Sequence, residues 1–307
     1  MKTKAGRIEM NEKLLITIDT EPDCDSHWNR SNPLTFSSIT EGIPKILRPL
    51  WQKYNVNPIY FVSPEVLKNE EACNNLRKEI DFGAIIGTHL HSEYVKPNIT
   101  IEDPAGRPSK EYPCYAHSSE IEFQKIKNLT KIIQKKLRIK PKWYRAARYG
   151  ADINTIMSLK ELGYKYDSSI TPKINWEKQG GPNHIKAPEQ PYWVSKNNYY
   201  MQSKSGKGIG IKEFPITISG KRFGFLGKFL PDDWYLYEWL RPTHMTLFEE
   251  KKLVDKFIEK YKNPTMVMMF HSMEVMPGKS PFVRNKFEQK LFLRRLEKTI
   301  EYCRMRL

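Results

Sequence analysis

The chain has 307 residues, with 51 Lys and Arg against 35 Asp and Glu, a formal net charge of +16. Hydrophobic residues make up 39% and aromatics 12%, enough to fill a sizeable core, so a wholly disordered chain is excluded and the length allows one large domain or two small ones. The excess of cations points to an acidic partner, with phosphorylated sugars, nucleic acid and anionic lipid all open.

In chain order, Lys13 to Asp19 reads as a buried strand. Ser38-Ile39-Thr40-Glu41 has the form of a capping box, and Ile43, Ile46, Leu47, Leu50 and Trp51 follow at helical spacing. Pro58 to Val62 is a second strand, 64–80 a helix with Pro64 in its first turn, and Phe82 to Thr88 a third strand. A helix over 119–137, a short strand at Trp143 to Arg145 and a helix over 151–162 stopped by Gly163 come next. Strands at Tyr164 to Asp167 and Ile211 to Ile216 precede a helix capped by Thr246 and Glu249, a strand at Thr265 to Phe270 and a closing helix over 282–304. Gly206-Lys207-Gly208-Ile209-Gly210 lacks the ending of a phosphate-binding loop and reads as a hairpin turn.

Strands alternating with helices predict βαβ units and a parallel sheet. Two long stretches, 92–117 and 170–245, resist assignment. Loops of that length in a compact domain are functional insertions as a rule, and these are expected to fold over one end of the sheet. The whole chain, 1–307, is read as a single domain. Cys24, Cys73, Cys114 and Cys303 are far apart and form no CxxC pair, so free thiols in a reducing compartment are expected. Leu14 to Ile18 is too short for a signal-peptide core, and no stretch reaches the ~20 apolar residues of a membrane span. A soluble, cytoplasmic protein is the expectation.

Five strands end in ionisable or polar residues: Asp19-Thr20-Glu21, His89-Leu90-His91-Ser92-Glu93, Arg145 to Gly150, Asp167-Ser168-Ser169 and His271-Ser272-Met273-Glu274. In α/β barrels the active site is built at that face. An HxH pair in an extended segment points both rings to one side, and two imidazoles plus a carboxylate suit a transition metal with positions left open. The carboxylate could come from Glu21, Asp19 or Glu93. Sugar rings stack on aromatic faces, and two clusters could supply them: Tyr192-Trp193 with Tyr199-Tyr200, and Trp234-Tyr235 with Tyr237 and Trp239, the latter followed by Arg241. Packing of the insertions is the competing account of both. Cations such as Lys135-Lys136, Lys251-Lys252 and Arg294-Arg295 fall on predicted helices as solvated faces, with an anionic ligand as the alternative. Nothing resembles a nucleic-acid-binding motif.

These motifs, in this order, resemble the polysaccharide deacetylases of the NodB-homology superfamily, metal-dependent de-N-acetylases, in a branch with HxH. The resemblance runs from Leu15 to about Pro281. It implies a distorted parallel (β/α) barrel with long loop insertions, and a hydrolase that removes an N-acyl group, foremost acetyl, from an amino sugar. It implies one divalent metal, zinc as first choice, held by Glu21, His89 and His91. Asp19 is then the general base, Arg145 its brace, Asp167 the holder of that arginine and His271 the general acid. The backbone N–H near Tyr149 stabilises the oxyanion, and Tyr149, Arg148, Glu274, Trp239 and Arg241 form the substrate-binding set. The substrate class is an amino-sugar-containing saccharide, either polymer or precursor, with a nucleotide- or lipid-pyrophosphate-linked sugar within that class. An inactive carbohydrate-binding relative is the alternative.

Overall fold

The computed structural model describes residues 13–101, 111–204, 206–222, 224–229 and 233–307. Parts of both insertions, at 102–110, 205, 223 and 230–232, lie outside the described residues. The main sheet has eight strands: β1 (Leu14–Thr20), β2 (Ile59–Val62), β3 (Ile85–Leu90), β4 (Trp143–Ala146), β5 (Tyr166–Asp167), β6 (Tyr192–Trp193), β7 (Lys212–Glu213) and β10 (Met266–His271). They lie in the order β10-β1-β2-β3-β4-β5-β7-β6. All neighbours are parallel except β6, which runs against β7. A second sheet pairs β8 (Ile218–Lys221) with β9 (Tyr237–Trp239).

The strand sequences explain the two-sided burial. In β1, Leu15 faces one core with Ile59, Phe61, Trp143, Val267 and Met269, while Ile16 and Ile18 face another with Tyr60, Ile86, Tyr144, Met268 and Phe270. Side chains alternate across a strand, so a continuous apolar run feeds both faces. The sheet curls into a half-barrel. The inner core fills its concave side, and the outer core packs beneath α1 (Arg48–Tyr54), α2 (Glu70–Asp81), α4 (Ser119–Leu137), α5 (Ile153–Leu162), α6 (Leu247–Lys260) and α7 (Lys286–Arg306); a single turn, α3 (Pro113–Ala116), precedes α4. Beyond the ladder, Thr217 N–H donates to Val267 O and Met269 N–H to Leu240 O, so the second insertion covers the free edge of β10.

Several helix signals act as the sequence predicts. Thr246 and Glu249 form a reciprocal box, and Gly163 ends α5 at φ +83°; α4 starts at Ser119 as expected, capped by the preceding Ser118, whose Oγ accepts from Ile121 N–H at 3.4 Å. Two differ. The Ser38–Glu41 box does not form. Instead Asp23, from the loop after β1, accepts from Ser37 N–H, Ser37 Oγ and Ser38 N–H at 2.7, 2.7 and 3.1 Å, and a wide π-type segment, Ser38–Leu47, with Pro44 inside, leads into α1. The helix expected over 64–80 breaks at Asn69, whose extended backbone and Oδ1 bond to Ala72 N–H start α2 anew after the single turn Val66–Lys68. The strand expected over 211–216 shortens to β7. Gly206-Gly210 is a turn: Gly206 and Gly208 have φ +49° and +52°, and a Cβ on Gly208 would meet Val194 O at 2.1 Å. Among the described residues, no helix is long and apolar enough to cross a membrane.

Candidate active site

The register of the parallel ladder assembles the site. Asp19 pairs with His271 across β1 and β10, and His89 pairs with Arg145 across β3 and β4, all at the C-terminal ends of their strands. There a cavity of about 530 Å³ opens, with Asp19, Glu21, His89, His91, Arg148, Tyr149, Trp239, Arg241 and His271 among its lining residues.

Glu21, His89 and His91, all buried, form a cluster whose ligand atoms lie within 4.8 Å of one another. Glu21 Oε1 is 3.2 Å from His89 Nε2 and 3.4 Å from His91 Nε2. The far nitrogens are taken: His89 Nδ1 meets Arg145 O at 3.0 Å and His91 Nδ1 meets Glu93 Oε1 at 3.3 Å. Such partners fix each ring and leave Nε2 as the ligand atom. Glu93 is therefore the orienting partner of His91 and lies outside the Glu21–His89–His91 cluster. Arg30 NH2 holds Glu21 Oε2 at 3.1 Å while its NH1 binds Glu65 at 2.6 Å, so only Oε1 turns to the histidines. His91 Nε2 is buried and has no hydrogen-bond partner. Burial alone would lower the His91 pKa, but the Glu21 and Glu93 carboxylates lift it to about 10. Burial would conversely raise Glu21, yet the neighbouring histidines hold it well below the usual carboxylate range. The cluster thus calls for a cation, and its donor set, two imidazoles and one carboxylate, fits a divalent ion.

Beside it, Asp19 Oδ1 accepts from Arg145 NH1 at 2.7 Å. Burial favours the neutral acid, but Arg145, His89 and His271 outweigh it and keep the Asp19 pKa low. Arg145 is fully buried, its Nε donating to Ser168 O and its NH2 to Thr17 Oγ1 and Ser168 Oγ at 2.8–2.9 Å. The guanidinium also lies 4.3 Å from the centroid of the Phe61 ring. Across the ladder, His271 Nδ1 meets Glu274 Oε1 at 2.9 Å and Arg241 NH2 at 3.1 Å, and Trp28 stands edge-on with ring centroids 5.6 Å apart. Glu274 also accepts from Arg241 and from Thr243 Oγ1. Although burial opposes ionisation, Arg241 and His271 hold its pKa at about 2.

Two expectations are corrected. Asp167 does not hold Arg145; Ser168 does. Strand alternation turns the Asp167 side chain to the other side, where Oδ1 accepts from Ser169 Oγ at 2.7 Å and Oδ2 from Tyr199 OH. Tyr199 also reaches Glu213 Oε2 at 3.2 Å, and desolvation raises the pKa of both carboxyls beneath the ladder. Glu274 is not a substrate-binding residue either: it is fully buried and occupied by Arg241, Thr243 and His271. Of the aromatic clusters, Tyr192 and Tyr199 pack the insertion, Tyr192 OH donating to Tyr199 O at 2.7 Å. Trp234 and Trp239 line the cavity. Sequence reasoning missed Trp28, Trp176, Tyr112 and Phe282 on the cavity wall, and the brace residues Thr17, Ser168, Arg30 and Glu65. Arg148 and Tyr149 stand at φ +52° and +60°, two consecutive left-handed non-glycine residues at the cavity. Such strain costs of order 1–3 kcal/mol per residue and concentrates at functional sites.

By sequence alone the chain matches no protein-family model and none of the curated proteins. Solved structures do match. A candidate polysaccharide deacetylase from Mycobacterium smegmatis superposes with a TM-score of 0.50 at 13% identity, over 98% of this chain and 87% of that one. The Puue allantoinase superposes with a TM-score of 0.50 at 13% identity, over 95% and 83%. The half-barrel of this chain is thus the polysaccharide deacetylase fold.

Proposed function

We infer that the chain is a single catalytic unit, a metal-dependent hydrolase that removes an N-acyl group, acetyl foremost, from an amino sugar of a polysaccharide or a surface-polysaccharide precursor. The observation that carries this reading is the meeting, at one cavity, of the Glu21–His89–His91 cluster with the braced Asp19 carboxylate and the carboxylate-held His271 imidazole. Glu21, His89 and His91 would hold the ion, with zinc the first choice for two imidazoles and a carboxylate. When bound, such an ion supplies Lewis acidity toward the acyl carbonyl and lowers the pKa of water to about 7.

The remaining steps belong to the chain. Asp19 stays ionised and accepts the proton of the attacking water; Arg145 occupies Oδ1 and leaves Oδ2 for that task. His271, its Nδ1 held by Glu274, donates from Nε2 to the departing amine. Each proton transfer is worth roughly 10²–10⁴ in rate. The backbone N–H near Tyr149 would steady the oxyanion. Tyr149, Trp239 and Trp176 offer faces to a sugar ring, Tyr149 stacking on Trp176 with centroids 6.0 Å apart. Arg148, on the cavity wall, suits a substrate carrying an anionic group, such as a sugar on a nucleotide or lipid pyrophosphate, while Arg241, buried against Glu274, fixes that carboxylate beside His271. An inactive sugar binder would gain nothing from a buried arginine that keeps Asp19 charged.

The test is release of acetate from N-acetylated amino sugars by purified, metal-loaded protein. Turnover that stops with chelation and returns with added zinc supports the reading. Tight sugar binding with no turnover, metal present, would show a binder.

A further inference from the structure

His89 and His91 are held in different ways. The ladder fixes His89, which lies opposite Arg145 of β4. His91 stands one residue past the end of β3, where the pairing has stopped, so the segment that follows it decides where its ring goes. That segment supplies two neighbours of the ring. Glu93 Oε1 meets His91 Nδ1 at 3.3 Å, and Tyr94 stacks on the imidazole with centroids 6.1 Å apart and planes inclined by 22°. Tyr94 OH also accepts from Arg30 NH1 at 3.4 Å, the same guanidinium that holds Glu21. Both neighbours stand in a single turn, Ser92–Tyr94, that lies outside the sheet.

One side chain gathers this segment. Lys125, in the first half of α4, is fully buried, and its Nζ donates to Ser92 O at 2.8 Å, Val95 O at 2.7 Å and Asn98 O at 2.9 Å. An ammonium has three N–H donors and no acceptor, and here all three go to one loop. A lysine buried this completely is costly unless each donor is satisfied. Ile126 and Leu129 on the same helix are buried as well, so the pattern of α4 calls for an apolar residue at 125, and the loop is what the lysine serves. One turn on, Asn128 Nδ2 donates to Lys96 O at 2.8 Å, so α4 grips the loop at four carbonyls. Within that grip Asn98 takes a left-handed backbone, φ +53°.

We infer that Lys125 is a positioning residue for the metal site: by fastening residues 92–98 to α4 it sets Glu93 and Tyr94 against the His91 ring and so aims Nε2 at the ion. The inference rests on the reading that Glu21, His89 and His91 hold that ion. Lys125 bonds to none of the three side chains and acts through the loop carbonyls alone. Partners that orient a ligating histidine are worth about 10–100-fold in metal affinity. Loss of the lysine releases the segment that carries two such neighbours and leaves three carbonyls without their donor.

The experiment measures the zinc affinity of the purified full chain by competition with a chromogenic chelator, with circular dichroism confirming each fold. Lys125→Met keeps an unbranched stem and removes all three donors; it is expected to bind zinc about tenfold or more weakly than wild type. Ile133→Ala opens a cavity more than two turns further along the same helix and should lower the melting temperature at unchanged zinc affinity. Asn128→Ala removes only the tie to Lys96 O and should weaken zinc binding by a smaller factor, about two- to threefold. A folded Lys125→Met protein with wild-type affinity overturns this inference and leaves the metal reading standing. An Ile133→Ala protein that loses zinc affinity to the same degree also overturns it, since the effect would then be lost stability. If Lys125→Met does not fold, Asn128→Ala decides, weaker zinc binding supporting the inference and unchanged affinity overturning it. A wild type that takes up no zinc overturns the inference and the metal reading together.

Discussion

Arg145 shows how residue chemistry decides the site. Its fork spans Asp19, Thr17 and Ser168 from a fully buried position, a geometry that one ammonium cannot reproduce. Arg145→Lys is therefore expected to lose most activity with the charge kept; a near-wild-type rate would show that the brace is dispensable. Asp167 behaves differently. Because it bonds Ser169 and Tyr199 and does not touch Arg145, Asp167→Asn should keep most of the activity that Arg145→Lys loses. Equal loss in the two variants would return Asp167 to the arginine. His271→Ala should cut turnover by roughly 10²–10⁴ with metal content unchanged; a variant that loses its metal would make His271 a ligand. The HxH pair, Asp19, Arg145 and His271 were all legible in sequence because each ends a strand. Arg30, Ser168 and Trp28 were not, since their roles depend on which loops meet in space.

At the scale of elements, local signals succeeded where the partner lies within one turn, as at Thr246 with Glu249. They failed at Ser38, because a carboxylate 15 positions upstream, Asp23, supplies the cap instead. Asp23→Ala should cost about 1 kcal/mol of stability in urea unfolding, the usual worth of a cap. The packing of α6 against α7 carries a pH signature. Glu250 is buried between them, accepting from Thr299 Oγ1 at 2.6 Å, and burial lifts its pKa from 4.5 to about 8. The folded chain then retains a proton that the unfolded chain releases between those values. The stabilisation is complete below about pH 4.5 and is lost as pH rises toward 8. Glu250→Gln should therefore gain melting temperature relative to wild type as pH climbs through that window. Parallel melting curves at all pH values would contradict the assignment.

For the whole molecule, alternation of strands and helices was enough to foresee a parallel sheet with the active residues at one end. The long insertions were foreseen as mouth-forming with a single strand, Ile211 to Ile216, which the structure shortens to β7. β6, of two residues, is too short for any periodicity, and β8 and β9 pair only through tertiary contact. The same insertions supply Trp176, Trp234 and Trp239 to the cavity, which is why its wall was only half visible in the sequence. The central claim is that Glu21, His89 and His91 hold a catalytic ion. It is tested most directly by elemental analysis of dialysed wild type beside His91→Ala, with circular dichroism confirming the fold of each. The account predicts a single tightly held divalent ion in the wild type and essentially none in the variant. A folded His91→Ala protein that keeps its ion, or a wild type that takes up none when zinc is offered, would contradict it.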